Sequence, residues 1–278
     1  MNTQPQAQEA VTGTVRVEFN GPVATVVLDN PRRHNAMTKD MWQQLERLLL
    51  LLSVDESVKV LVVRGAGANF SAGVDITNLN DILHDPHTGG HDGGNVTAAE
   101  NALARFQKPT VAAIDGHCIG GGWQIAGACD IRVASDQSTF GITPAKIGII
   151  YPLSGIERLV RLAGPAAAKY LLFSGDFITA SEAKSLGLVA RVVPRSGFWQ
   201  EVAEFARRLA SRSQLSIQAM KNIVDVIAEN DEGLGETHAL WQREVTLSGE
   251  PEIGVAAFLG KRSPEFKWTG RHSQLFEH

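Results

Sequence analysis

The stretch "DGHCIGGGWQIAGACDI", Asp115–Ile131, decides how this chain is read. A β-rich run, "TVAAID" (110–115), precedes it and another, "DIRVAS" (130–135), follows, so the glycines open a short apolar helix between two strands. Gly120, Gly121 and Gly122 would leave backbone N–H groups bare at that helix start, and such groups attract negative charge. A dinucleotide fingerprint fits poorly, because its last glycine would fall on Ile125. A P-loop would need a Lys and a Ser/Thr that are absent. A tight turn requiring positive φ is the plainer alternative. The first polar side chain after the glycines is Gln124, an amide and not an acid.

A second turn of small residues, "NFSAGVDI" (69–76), follows another strand, "KVLVVRG" (59–65), and exposes the N–H of Val74. Two such turns converging on one oxygen would form an oxyanion hole, in which preorganised donors meet charge that develops on a carbonyl. Neither turn is specific alone; the pair is.

Outward from these turns the chain alternates strand and helix. Residues 14–20 and 23–28 read as a hairpin joined by Gly21-Pro22, and Thr38 caps a helix whose apolar positions are Met41, Leu45, Leu48, Leu49 and Leu52. A helix at about 98–106 precedes the opening stretch. The alternation continues through "RLVRLAG", "AAAKYLLFSG" and "TASEAKSLG" to a short strand at 188–194. After Pro194 only helical periodicity remains. The expected organisation is a flexible N-terminus (1–13), an α/β core (14–195) and a helical region (196–278).

Composition narrows the function classes. Charged residues make up 20% and the net charge is −4 with scattered arginines, so there is no basic footprint for nucleic acid. The apolar "LLLLL" at 48–52 is too short to span a bilayer. Cys118 and Cys129 give no disulfide framework and read as buried, reduced thiols, which points to a cytoplasmic location. His84, His87 and His91 suggest metal ligands, but Pro86 and Gly89-Gly90 deny them one helix face, so no metal is expected. No G-x-S-x-G elbow is present for a serine hydrolase.

The segments "NPRRHNAM", "FSAGVDI", "VAAIDGHCIGGGWQIAGACDIRVAS", "FGITPAKIGIIYP", "SGDFITASEAKSLGLVARVVP" and "VAAFLGKRSPEFKWTG" together resemble the crotonase superfamily, the enoyl-CoA hydratases, isomerases and related acyl-CoA enzymes. The resemblance runs in order from about residue 14 to 270. It implies a crotonase-like superhelix of ββα units with a C-terminal helical trimerisation region, in a homotrimer or homohexamer. It implies an oxyanion hole formed by the N–H groups of Val74 and Gly121. Coenzyme A would lie along Arg32 and Arg33 and the loop carrying Ala72, Asp75 and Ile76, with Phe258 and Lys261 reaching a neighbouring subunit's coenzyme A. No permanently bound cofactor is implied; coenzyme A enters as part of the thioester substrate.

The departures are informative. The hydratases resembled use two glutamates; Gln124 fills one slot and Pro144, in "FGITP", the other. Neither exchanges a proton near neutral pH. What remains is Gln124, Tyr151 as a phenol for substrate or packing, His117 as a proton carrier or a satisfied buried imidazole, and Glu157 on a solvated helix face. Trp123 reads as core or pocket wall. The segment "TPAKIGIIYPLSGIERL" is similar to that of methylmalonyl-CoA-type decarboxylases, although the decarboxylase keeps an acid at the Gln124 slot. Decarboxylation, hydration or isomerisation by a recruited base, and silent acyl-CoA binding remain open, with crotonyl-CoA hydration expected to be slow or absent.

Overall fold

A computed structural model of the protein describes residues 13–84, 89–90 and 92–270. His87 and His91, and the N-terminal segment up to residue 12, lie outside the described residues.

The chain opens with the expected hairpin, β1 (Thr14–Asn20) antiparallel to β2 (Val23–Asp29), and α1 (Lys39–Val54), whose N-cap Thr38 accepts from the Met41 N–H. Then follow β3 (Val60–Gly65), α2 (Leu79–Leu83), α3 (Gly94–Ala104), β4 (Thr110–Ile114), β5 (His117–Ile119), α4 (Gly121–Ala128), β6 (Ile131–Ser135) and β7 (Thr139–Gly141). The remaining elements are α5 (Leu153–Ser174), β8 (Phe177–Thr179), α6 (Ala180–Ser185), β9 (Arg191–Val193), α7 (Phe198–Ala210), α8 (Gln214–Glu229), α9 (Leu234–Ser248) and α10 (Glu250–Leu259). "RLVRLAG" and "AAAKYLLFSG" are not separate alternating elements. They are two arms of α5, broken at Gly164 (φ 76°) before Pro165, which cannot continue a regular helix.

Six strands form one sheet in the order β1-β2-β3-β4-β6-β9, and β5-β7-β8 form a second. Consecutive strands divide between the two: β4 and β6 pair in the first sheet, β5 and β7 in the second. The chain therefore winds as ββα turns. The central parallel strands are buried on both faces, which explains their unbroken apolar runs. Leu61, Val63, Ala112 and Ile114 enter the main core with α1 and α4, whereas Val60, Val62, Val111 and Ala113 pack on Phe198, Val202 and Ala206 of α7. Beyond it, α8 and α9 pack around Trp241 and Trp268. Among the described residues no helix is long and apolar enough to cross a membrane.

One buried side chain fixes the loops that border the site. Asn35 is fully buried and holds φ at 58°, a conformation that Asn tolerates better than most residues. Its Oδ1 accepts from the Asn30 N–H (2.9 Å), and its Nδ2 donates to the carbonyls of Ala66 (2.8 Å) and Asn69 (2.7 Å). Its own carbonyl accepts from the Ser71 hydroxyl (2.8 Å), which in turn accepts from the Gly73 N–H (3.0 Å). Asn35→Ala would leave two buried backbone groups and one part-buried one without this partner and should cost about 3–4 kcal/mol. A fall in thermal midpoint of roughly 6–12 °C by calorimetry is the expected outcome.

Candidate functional site

The two glycine turns meet. Between β3 and α2 the chain passes Ser71, which bridges to Cys118, and Val74, which bridges to Met37. In the second bridge the Met37 N–H donates to the Gly73 carbonyl (2.7 Å) and the Asp75 N–H to the Met37 carbonyl (2.9 Å). The Val74 N–H lies between these bonds and points away from them. Gly121 begins α4, where a first-turn N–H has no intrahelical acceptor. Among the described residues neither N–H has a hydrogen-bond partner.

Glycine is required at position 73 and closely fitted at position 121. Gly73 has φ 98°, and a Cβ there would stand 2.7 Å from the Ile119 carbonyl oxygen and 2.9 Å from the Gly121 nitrogen. A Cβ on Gly121 would stand 3.1 Å from the Val74 nitrogen and from the Trp42 ring. Two free N–H groups are thus neighbours across a backbone contact. That arrangement can hold one anionic oxygen.

Beside them lies a cavity of about 80 Å³. Val74, Gly121, Gln124, Thr143, Pro144 and Tyr151 line it, with an apolar wall of Leu79, Leu83, Ile147 and Ile149. Ala72 and Ile76 stand at its edge, both exposed. A larger cleft of about 520 Å³ runs between α5 and α8–α9 and is lined by Glu157, Arg158, Lys221 and Trp241. Volume does not make it the site: neither glycine turn reaches it, and its walls mix both charge signs.

The structure brings Val74, Gly121, Gln124 and Tyr151 together and separates others from them. His117, expected as a proton carrier or a buried imidazole, is not buried: its ring is exposed and its Nδ1 lies 2.7 Å from the Thr139 hydroxyl, outside the cavity lining. The cause is the alternation of β5, which turns Cys118 into the core and His117 outward. Glu157 is exposed and faces the larger cleft. Trp123 is core, edge-on to Phe140 at 6.3 Å. Cys118 and Cys129 are free and buried, and burial pushes the Cys129 thiol up to about 12.

Tyr151 lines the cavity, but its hydroxyl donates to the Gly120 carbonyl (2.7 Å). Burial, with the Glu100 carboxylate nearby, raises its pKa well above the usual range, so the phenol keeps its proton. It braces the glycine turn, whose Gly120 also donates its N–H to the Gly141 carbonyl (2.8 Å).

At the mouth, Arg33 Nη1 lies 2.6 Å from Asp75 Oδ2. Burial pushes the Asp75 pKa up, but hydrogen bonds from Thr77 and the Arg33 charge outweigh it and hold the carboxyl below its ordinary value. Asp75 thus ties its loop together, while Arg32 is exposed beside it. Phe258 (84% exposed) and Lys261, which adopts φ 50°, belong to the end of α10 and do not line the cavity.

Sequence reading missed Glu100, a fully buried acid behind Gln124. The signal was available: Val96, Ala99, Glu100 and Leu103 are the buried positions of α3, at helical spacing, so an acid falls on the inward stripe.

A family model for enoyl-CoA hydratase/isomerase matches residues 18–269. The chain belongs to this family. The fold is accordingly that of the crotonase superfamily. A solved enoyl-CoA hydratase/isomerase family member is 43% identical and superposes with a TM-score of 0.88 over 94% of this chain and 99% of that one. Crotonyl-CoA hydratase of Syntrophomonas wolfei is 31% identical, covering 90% of this chain and 96% of its own. 2,3-Dehydroadipyl-CoA hydratase of Escherichia coli is also 31% identical, covering 88% and 95%. Membership makes the protein an enzyme acting on an acyl-CoA thioester.

The close approach at Gly73 gives a direct test of the paired donors. Gly73→Ala would push Val74 away from Gly121, and thioester turnover should fall by about 10²-fold or more. Circular dichroism should show the fold retained while steady-state assays with acyl-CoA thioesters record the loss.

Proposed function

We propose that this family member forms a thioester enolate by removing carbon dioxide from a short, malonyl-type acyl-CoA. One observation carries the reading: the cavity beside the Val74 and Gly121 N–H groups has no carboxylate in its lining among the described residues. Gln124 and Pro144 both line it, and by the family resemblance they would take the slots of the two hydratase acids. The aliphatic wall would desolvate a carboxylate and the hydroxyl of Thr143 would orient it, with Gln124 beside them in the lining.

The chemistry needs no strong base. The bond between the α-carbon and the carboxylate carbon breaks, and carbon dioxide leaves. The electron pair passes through the α-carbon to the thioester oxygen, where the Val74 and Gly121 N–H groups would receive the charge. Water then protonates the α-carbon. The small cavity suits a short acyl group, since whole ligand pockets are typically several times larger. Coenzyme A would run outward past Ala72 and Ile76 toward Arg32 and the Arg33–Asp75 pair. Phe258 and Lys261, exposed at the end of α10, would reach a neighbouring subunit's coenzyme A in a cytoplasmic trimer or hexamer.

Hydration is the second reading, favoured by the names of the relatives. It would require a base other than His117 or Glu157, which both lie off the cavity.

Mass spectrometry of malonyl- and enoyl-type thioesters incubated with the protein in heavy water tests these readings. The expected result is loss of carbon dioxide with deuterium at the α-carbon of the malonyl-type substrates. Water added to the enoyl thioesters instead would replace decarboxylation by hydration, and tight binding without turnover would leave an acyl-CoA-binding protein.

A further inference from the structure

Behind the cavity lies a polar cluster that the reaction above does not use. Glu100 of α3 is fully buried. Its Oε2 accepts from Gln124 Nε2 (3.1 Å) on α4 and from the Ser154 hydroxyl (2.7 Å) on α5, and its Oε1 accepts from Arg158 Nε (3.0 Å), also on α5. Glu100 does not line the cavity; Gln124 does.

We propose that Glu100 is a positioning residue that fixes the Gln124 amide with Nε2 turned to itself and Oε1 turned to the acyl cavity. The logic is that of donors and acceptors. A carboxylate ion-paired to arginine only accepts, so the end of the amide facing it must be the NH₂. Nε2 is confined further by α5, where a Cβ on Gly155 would stand 3.1 Å from it. The oxygen is what remains for the substrate. The same network explains why this slot holds an amide: an acid here would face an acid already in place.

The inference rests on the acyl-CoA reading only for its consequence. The substrate would meet a partial negative charge at position 124, so a substrate carboxylate would gain no charge-neutralising donor there. Any discomfort of that carboxylate is relieved as its charge moves to the thioester oxygen.

The first test needs no substrate. In Gln124→Glu two carboxylates would lie within hydrogen-bond range and share a proton, raising a folded-state pKa above its unfolded value. Such a group stabilises fully below the unfolded pKa, and its contribution is lost as pH rises through the folded one. The groups facing the pair are Arg158 and Tyr151, with Asp225 of α8 close enough to feel Arg158. Relative to the native protein, the thermal midpoint of Gln124→Glu should fall by several degrees between pH 5 and 8. The exchanged variant Glu100→Gln/Gln124→Glu, which restores one donor to one acceptor, should follow the native profile. A single variant that tracks the native protein, or an exchanged variant that falls as the single one does, overturns the proposal.

The second test reads specificity, which a merely structural role would not move. In Glu100→Gln the amide of Gln124 is free to turn its NH₂ inward. Calorimetric affinity for sulfoacetyl-CoA, whose sulfonate cannot leave as carbon dioxide, should rise relative to acetyl-CoA by about tenfold. A ratio unchanged within about twofold counts against the assignment. If neither thioester binds the native protein, the acyl-CoA reading fails while the pH profile still decides the role of Glu100.

Discussion

The candidate site depends on a backbone-to-backbone contact between two turns that are 47 residues apart in the numbering of their central glycines, Gly73 and Gly120. Side chains would prevent it: a Cβ on Gly73 meets a carbonyl at 2.7 Å and an amide nitrogen at 2.9 Å. The contact leaves the Val74 and Gly121 N–H groups as neighbours. It is supported from beneath by Asn35 and Ser71, and from the side by Tyr151 through the Gly120 carbonyl. Preorganised donors of this kind need no rearrangement when charge develops, which is why the supports matter as much as the donors.

The surroundings divide into a dry front and a polar rear. In front, aliphatic side chains of α2 and of the segment after β7 wall a small cavity. To the rear, Glu100, Ser154 and Arg158 satisfy one another inside the protein, with Gln124, among the described residues, as the side chain belonging to both. A buried charge is tolerable only when it is paired and hydrogen-bonded, and Glu100 is both. Its α3 helix also packs on α2, which follows the first glycine turn, and on α4, which the second turn opens, so the polar cluster is tied to both turns.

The first sheet explains how so compact an arrangement is held. Its parallel strands are covered on one face by α1, α3 and α4 and on the other by α7, which leaves their ends as the place where backbone can turn freely. The loops after β3 and around β5 use that freedom, and the division of consecutive strands between two sheets turns them toward each other.

The sequence by itself determined the local elements and the backbone donors. Period-2 and helical spacing gave the hairpin, α1 and the buried strands, and Gly73 and Gly120 marked turns at positive φ that favour glycine. Gln124 and Pro144 were legible as an amide and a proline, and only the family resemblance made them stand for two acids. What lies across space was not legible. His117 sits one residue before the buried Cys118, and strand alternation alone sends it outward once the pairing is known. Glu100 is 24 positions from Gln124 and reaches it only because α3 packs against α4. The hydroxyl of Tyr151 could have faced a substrate from sequence alone; packing of α5 turned it to the Gly120 carbonyl instead. Propensity and periodicity act within a few residues of chain, whereas the direction of a polar side chain is decided by whichever partner the folded core leaves within 3 Å or so.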